Sequence, residues 1–181
     1  GRGPLAGDVL AAAVILQIKS EIPGLDDSKL MTPKKRKALY SLIKNNALCW
    51  SIGRASVAEI DKKNILKASL LAMDRAVQGL AVIPGYILVD GNQLPNWRYP
   101  SQAIIRGDKK IPEISAASII AKVTRDQELE ELDAMYPGYG FARNKGYPTK
   151  EHLSALKKLG PTDAHRKSFE PVKRILSLRS G

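Results

Sequence analysis

The sequence contains very few of the residues that build disulfide frameworks and zinc sites. Its 181 residues include one cysteine, Cys49, and two histidines, His152 and His165. A single cysteine cannot form an internal disulfide, which fits a reducing compartment. The two histidines stand apart in the chain, and no Cys/His cluster has the spacing of a zinc site. The composition therefore argues against a disulfide-stabilised secreted domain and against a zinc protein.

Long apolar runs are also missing. No run reaches the roughly 20 residues that a membrane-spanning helix needs. The run from Val9 to Leu16 resembles the apolar part of a signal peptide, but Asp8 precedes it and no lysine-rich segment does. We therefore interpret this run as a strand of the core, and we expect a cytoplasmic protein that has no contact with a membrane.

Two common catalytic motifs are absent, and acidic residues are in the minority. The sequence has no P-loop motif and no serine or cysteine in a nucleophile elbow. It has 18 Asp and Glu against 29 Lys and Arg, which gives a net charge of +11. Such an excess favours a polyanionic partner, most commonly nucleic acid, although surplus lysine alone often forms only a solvated surface.

The hydrophobic pattern predicts an α/β protein in which helices pack on a sheet. Apolar runs and turn signals predict strands over 9–17, 47–54, 86–89 and 102–106. Helical spacing and capping residues predict helices over 33–45, 56–79, 112–135 and 150–159. The strand–helix–strand order indicates the layering. The predicted organisation is a core of residues 1–136 followed by a C-terminal helical segment, 137–181.

Two acids follow predicted strands. Asp90 ends the apolar run that starts at Tyr86, which we interpret as a buried strand, and Asp108 follows the next strand. If these strands are neighbours, both carboxylates reach the edge of the sheet where ligands bind in open α/β folds. Carboxylates there suit Mg²⁺ or Mn²⁺ and phosphate ester chemistry. The alternative is that Asp90 only opens a turn, since Asp-Gly-Asn is common turn chemistry.

Several short motifs occur together in one order. They are Gly-Arg-Gly-Pro-Leu-Ala-Gly at 1–7, Asp-Ser-Lys at 27–29, Val-Asp-Gly-Asn at 89–92, Gly-Asp at 107–108, Ile-Ser-Ala-Ala-Ser-Ile-Ile-Ala-Lys-Val-Thr-Arg-Asp at 114–126, Lys-Gly-Tyr-Pro-Thr at 145–149 and His-Arg-Lys-Ser-Phe-Glu-Pro-Val at 165–172. Together they resemble ribonuclease HII, the type 2 ribonuclease H, in its bacterial branch. The resemblance covers nearly the whole chain.

This resemblance implies a fold, an activity and a set of acids. The family has a ribonuclease H-like mixed sheet flanked by helices. It hydrolyses the RNA strand of RNA–DNA hybrids and cuts at single ribonucleotides in duplex DNA, leaving a 5′-phosphate and a 3′-hydroxyl with Mg²⁺ or Mn²⁺. Of its four active-site carboxylates, the third corresponds to Asp90 and the fourth to Asp108, as catalytic and metal-binding residues. The implied partner is a hybrid or a ribonucleotide-containing duplex, and the expected state is a monomer.

The resemblance also implies substrate-binding residues. Backbone groups of Gly1, Arg2 and Gly3 correspond to those that read the 2′-hydroxyl, the group that separates RNA from DNA. Tyr147 corresponds to a tyrosine that packs on the sugar beside the ribonucleotide; its alternative is an exposed loop aromatic. The residues expected to hold phosphates, each of which could instead be a solvated charge or a cap, are Ser28, Lys29, Lys145 and Arg166.

One departure from the family pattern affects the expected activity. The family's first two acids form an Asp-Glu pair one residue ahead of Gly-Arg-Gly, at the end of the first strand, whereas this sequence starts at Gly1. We therefore expect a polypeptide of only these residues to cleave poorly. The alternatives are a hybrid-binding domain without catalysis and a nuclease of the same fold that acts on DNA junctions.

Overall fold

The computed structural model describes residues 1–19, 22–25 and 31–180. Strands and helices are interspersed along them, which confirms the predicted α/β class. The elements are β1 (Val9–Leu16), α1 (Pro33–Asn46), β2 (Ala47–Ala55), α2 (Val57–Lys63), α3 (Ile65–Gln78), β3 (Ile87–Asp90), β4 (Ser101–Ile104), a 3₁₀ turn (Gly107–Lys109), α4 (Pro112–Met135), α5 (Phe141–Asn144), α6 (Lys150–Leu159) and α7 (Glu170–Arg179). The predicted phosphate-binding residues Ser28 and Lys29 lie outside the described residues.

The described strands form two pairs. β1 lies beside β2, and β3 pairs with β4 in parallel, with Asp90 opposite Ile104. The prediction that Tyr86 starts a buried strand is wrong, because β3 begins one residue later and Tyr86 is 58% exposed. Side chains along a strand point alternately to opposite faces, so a short strand buries only some of them. In β3 the buried side chain is that of Val89.

Capping residues fix the helix boundaries. The Thr32 side chain accepts a hydrogen bond from the Lys35 N–H, and Pro33 occupies the first turn of α1, as predicted. Ser56 and Glu59 form a reciprocal capping box that starts α2. Both caps satisfy N–H groups that have no partner within their own helix, so the sequence marks these helix starts clearly.

The single helix predicted over 56–79 is wrong. The chain breaks at Asn64, whose φ is 74°, into α2 and α3. The Asn64 N–H donates to Ile60 O, and its side-chain oxygen accepts from the Lys67 N–H at 3.0 Å. Asparagine tolerates the left-handed region and is a good cap, so one residue ends α2 and starts α3.

The chain divides into two compact units. The first comprises Gly1–Val9, Ala55–Ser69 and Thr124–Gly181, and the second comprises Leu10–Arg54 and Leu70–Val123. The predicted division at residue 136 stays a prediction. Among the described residues, no helix has the length and apolar character to cross a bilayer.

Each unit has its own apolar core. In the first unit, side chains from the N-terminal segment pack with the end of α4 and with α6 and α7; the buried members are Leu5, Ala6, Leu129, Tyr139, Phe141, Leu156, Val172 and Ile175. In the second, α1 and the start of α4 provide most of the core; the buried members are Leu25, Met31, Leu39, Ile43, Ala116, Ile119, Ile120 and Val123.

Candidate functional site

The two predicted catalytic acids lie at the ends of neighbouring strands in the second unit. Asp90 is the last residue of β3, and one of its carboxylate oxygens accepts a hydrogen bond from the Gly107 N–H at 2.9 Å. The Gly91 N–H donates to Ile104 O at 3.0 Å and extends the pairing past the acid. The predicted adjacency of the two strands is therefore confirmed, and the residue bonded to Asp90 directly precedes Asp108.

A tight turn holds Asp108. Arg106 is left-handed, with φ 56°, and the 3₁₀ turn that follows begins at Gly107. A Cβ on Gly107 would lie 2.5 Å from Cδ1 of Ile114, so any other residue there would require the Ile114 side chain to shift. Asp108 is 7% exposed, whereas Asp90 is exposed. A buried carboxylate requires a cation or hydrogen-bond donors beside it.

The donor atoms of this pair fit a hard divalent cation. Mg²⁺ and Mn²⁺ prefer oxygen ligands, and both side chains supply them at one edge of the β3–β4 pair. Within the part of the chain that the structure describes, no group of three or more His, Cys, Asp or Glu side chains could hold a metal ion. The chemistry and position of Asp90 and Asp108 are therefore compatible with the predicted metal site, which stays a prediction.

Three segments that are distant in sequence meet in the first unit. The N-terminal loop, residues 1–8, is joined to residues 145–149, the Tyr147 loop, by a hydrogen bond from the Leu5 N–H to Gly146 O at 2.7 Å. It is joined to the segment before α7 by hydrogen bonds from the Gly7 N–H to Ala164 O and from the Arg166 N–H to Leu5 O, both at 2.8 Å. The predicted ribose-reading loop is therefore fixed by backbone contacts on two sides.

The Tyr147 side chain lies against this loop. Gly1, Arg2 and Gly3 are exposed, and Tyr147 is 44% exposed. A Cβ on Gly3 would be 3.3 Å from Cε1 of Tyr147, which shows how closely the ring approaches the glycine. The structure thus brings together the two features to which sequence analysis assigned recognition of the ribose, although more than 140 residues separate them.

The Lys145 side chain is only 20% exposed and already has partners. Its Nζ lies 2.8 Å from a carboxylate oxygen of Glu130 and 3.4 Å from Asp126 O. An ammonium group has three N–H donors, so these two contacts leave room for a phosphate oxygen. Its predicted phosphate contact is compatible with this position.

Comparison with known proteins decides the family. The family described as Ribonuclease HII matches residues 1–172 of this chain. The chain belongs to the ribonuclease HII family. It is 56% identical over 178 residues to a ribonuclease HII from Vibrio vulnificus strain YJ016, and the match covers 98% of this chain and 86% of that protein.

Solved structures show the same fold. The ribonuclease H2 from Pyrococcus horikoshii OT3 superposes with a TM-score of 0.81 at 27% identity, over 100% of this chain and 96% of that one. Bst-RNase HIII, solved in complex with Mn²⁺, gives a TM-score of 0.68 at 16% identity, over 98% of this chain and 67% of that one. The predicted ribonuclease H-like fold is confirmed, and membership of the ribonuclease HII family makes the chain a ribonuclease H enzyme.

Arg166, a predicted phosphate ligand, is buried and bound to backbone carbonyls in this member of the ribonuclease HII family. Its side chain is 0% exposed. Its five N–H groups all donate to backbone carbonyls of the N-terminal loop, namely those of Gly1, Arg2, Pro4, Gly7 and Asp8. Burial lowers the pKa of Arg166 to about 10, so it stays charged at pH 7. A contact with phosphate would require it to leave these carbonyls.

Sequence analysis missed a second buried arginine. Arg125 of α4 is 5% exposed and donates from its two terminal nitrogens to Lys145 O and Ala6 O, each at 2.9 Å. It therefore ties the N-terminal loop to the Tyr147 loop. The signal available was its spacing, since it lies four residues before Leu129 and seven before Leu132, on the apolar face of α4.

The two histidines, which stand apart in the sequence, meet in the folded chain. His152 and His165 are both 0% exposed, and their Nε2 atoms lie 3.1 Å apart. Burial lowers the pKa of both, that of His165 to about 4, so both are neutral at pH 7. Their sequence separation gave no indication of contact, because it depends on how α6 packs against the segment before α7.

Proposed function

We propose that this protein is a metal-dependent endonuclease that hydrolyses the RNA strand of RNA–DNA hybrids and cuts at single ribonucleotides in duplex DNA, leaving a 5′-phosphate and a 3′-hydroxyl. The observation that carries this proposal is the position of Asp90, hydrogen-bonded to the residue before Asp108 at the end of a parallel strand pair. Oxygen ligands on a protein of net charge +11 suit a cation and a polyanionic substrate.

Each acid has a distinct part in this proposal. The exposed Asp90 ligates the cation and keeps the Gly107 turn in place, and the buried Asp108 supplies a second carboxylate from that turn. The proposed cation is Mg²⁺ or Mn²⁺; when bound, it polarises the phosphodiester and activates water for attack. A protein of the same fold, Bst-RNase HIII, has been solved in complex with Mn²⁺.

Recognition of the ribose is assigned to the first unit. Exposed backbone groups of Gly1, Arg2 and Gly3 contact the 2′-hydroxyl, and the half-exposed ring of Tyr147 packs on the adjacent sugar. Lys145, together with Ser28 and Lys29, binds phosphates. Arg166 contributes by fixing the carbonyls of the N-terminal loop. We propose that the protein acts as a monomer. We also propose that it lies in the cytoplasm, because its single cysteine fits a reducing compartment.

The test compares three duplexes that differ in the number of ribose sugars in one strand. A duplex with one ribonucleotide, an RNA–DNA hybrid and an all-DNA duplex are incubated with Mn²⁺ or Mg²⁺, and the ends of the products are mapped. Because the resemblance gives the family four acids, the assay uses both the 181-residue chain and a version extended at its N-terminus by the family's first strand and Asp-Glu pair, with one residue between that pair and Gly1. Cleavage 5′ of the ribonucleotide, lost in all-DNA, supports the proposal.

The same assay separates the alternatives. A domain that only binds hybrids retains binding of the ribonucleotide-containing duplex but does not cut it, even in the extended version. A junction nuclease of the same fold cuts equally well when deoxyribose replaces ribose at the cut site. Binding is therefore measured separately from cleavage, with the cation replaced by Ca²⁺, an ion of looser geometry that also takes oxygen ligands.

A further inference from the structure

We infer that His152 and His165 form a neutral hydrogen-bonded relay that positions Tyr147 and thereby sets how strictly the enzyme prefers a ribonucleotide at its cut site. This inference rests on the proposed contact of Tyr147 with the sugar. The two histidines are positioning residues, since they act through Tyr147 and are themselves buried.

The partners of the two rings fix the direction of the relay. The Thr162 N–H donates to Nδ1 of His165 at 2.9 Å, so this nitrogen is an acceptor and the proton of the neutral ring is on Nε2. At the other end, Nδ1 of His152 lies 2.9 Å from Tyr147 O, a carbonyl that can only accept. His152 therefore carries its proton on Nδ1 and accepts from His165 at Nε2.

The surroundings of the rings keep the relay neutral. Tyr139 and Phe141 pack around both histidines, with ring centroids 5.0 to 6.5 Å from the imidazoles. A second proton on either ring would place two N–H groups in opposition in an aromatic enclosure, at Nε2 of His152 or at Nδ1 of His165. Opposite tautomers on the two rings satisfy all four nitrogens.

The relay ends on the backbone that carries the proposed sugar contact. Tyr147 O accepts from His152 and also from the Thr149 N–H at 2.8 Å. Thr149 caps α6 by accepting from the His152 N–H, so helix and loop are fixed to each other at this residue. Because the Tyr147 ring approaches Gly3 closely, a shift of its backbone changes the space between ring and loop.

The tautomers can be measured without any assay of activity. The chain has only these two histidines, so imidazole ¹⁵N labelling gives the signals of two rings. At pH 7 we expect two neutral rings, His165 protonated on Nε2 and His152 on Nδ1. The inference is contradicted if the two rings have the same tautomer or if either ring is positively charged. This outcome is independent of the proposed substrate.

Two amide replacements of His152 separate positioning from packing. The amide nitrogen of asparagine occupies the place of Nδ1, so His152→Asn keeps a donor for Tyr147 O. The amide of glutamine reaches the place of Nε2, so His152→Gln keeps the contact with His165 and loses the donor to Tyr147. Each variant keeps one of the two polar contacts. Asparagine is the smaller side chain, so a loss that came from packing alone would be larger in His152→Asn, the opposite of the order expected from positioning.

The expected effect is on substrate preference. For the duplex with one ribonucleotide, His152→Gln should raise KM at least about fivefold, the factor that corresponds to one lost hydrogen bond, with kcat little changed. His152→Asn should restore KM to within about twofold of the parent protein. Melting temperature is measured for both, because a purely structural role predicts that activity follows stability rather than the contact with Tyr147.

The outcomes distinguish failure of this inference from failure of the proposed function. If the parent protein does not discriminate ribose from deoxyribose, the proposed function fails, while the tautomer result stands by itself. The positioning role is contradicted if the parent discriminates ribose from deoxyribose but the two variants have equal KM values for the duplex with one ribonucleotide. It is also contradicted if His152→Gln has a lower KM than His152→Asn.

Discussion

Asp90 accepts a hydrogen bond from the backbone N–H of Gly107 at 2.9 Å. Gly107 opens the turn that carries Asp108, and a Cβ on it would displace the end of the Ile114 side chain. One carboxylate therefore holds the turn that presents the other. In this arrangement Asp90 has two separable properties, its negative charge and its capacity to accept a hydrogen bond.

Two substitutions of Asp90 should separate these properties. Asp90→Asn retains an acceptor for the Gly107 N–H and loses the negative charge. Loss of a residue that only hydrogen-bonds to a metal ligand typically lowers activity by up to ~100-fold. Loss of the ligand itself should therefore lower the cleavage rate by more than this, with stability nearly unchanged. Asp90→Ala should lose as much cleavage and about 1 kcal/mol of unfolding free energy in addition. Single-turnover cleavage and urea denaturation provide the measurements. Cleavage by Asp90→Asn at a rate close to the parent would contradict a metal-binding role.

A methyl group on Gly3 should disturb recognition of the ribose. Gly3→Ala would place Cβ 3.3 Å from the Tyr147 ring, which must then move by a few tenths of an ångström. We expect KM for the single-ribonucleotide duplex to rise about three- to tenfold, because small misplacements of positioning groups are costly. Gly85→Ala is the matched control, since a Cβ there has no atom of the described structure within 4 Å. Equal KM values for the two variants would show that the Tyr147 ring and Gly3 act independently.

The sequence was sufficient to predict the strand end that carries Asp90, because a short apolar run stops at Asp90 and Gly91. The second strand was predicted to reach Arg106 but ends at Ile104, and its parallel pairing with β3 is specified by the tertiary fold. The helix break at Asn64 was not predictable in the same way. The apolar spacing continues through it, and the left-handed conformation of one asparagine leaves no mark in that spacing.

The buried polar residues of the first unit are a second feature that could not be predicted from the sequence. Lysine, arginine and histidine are ordinarily surface groups on a basic protein, and the phosphate role predicted for Arg166 came from the family resemblance. Its carbonyl acceptors lie at the opposite end of the chain, at residues 1–8, as does one acceptor of Arg125. Contacts over such separations are specified by the tertiary fold, and one sequence without relatives does not reveal them.

Replacement of Arg166 by lysine should affect stability more than binding of phosphate. The lysine has three donors and a different shape, so at least two of the five carbonyls lose their partner in a buried site. We expect a loss of about 3 kcal/mol in unfolding free energy, measured by urea denaturation. The dependence of log Kd on log salt concentration should keep its slope. A slope lower by about one would instead reveal a phosphate contact made by Arg166 in the complex.

The buried histidine pair should make the folded state sensitive to acid. The pKa of His165 is about 4 in the folded protein and near 6.5 in the unfolded chain, so between these values the unfolded chain binds more protons. The unfolding free energy should therefore fall as pH falls from about 6.5 to about 4, by a total on the order of 3 kcal/mol from this residue. His152, whose pKa is also lowered by burial, adds to the loss in the same direction.

Urea denaturation at several pH values, for the parent and for His165→Gln, isolates the contribution of His165 to this pH dependence, because the carboxylates are common to both proteins. The variant should be less stable at pH 7 yet lose less on acidification, and parallel pH profiles for the two proteins would contradict a neutral buried His165.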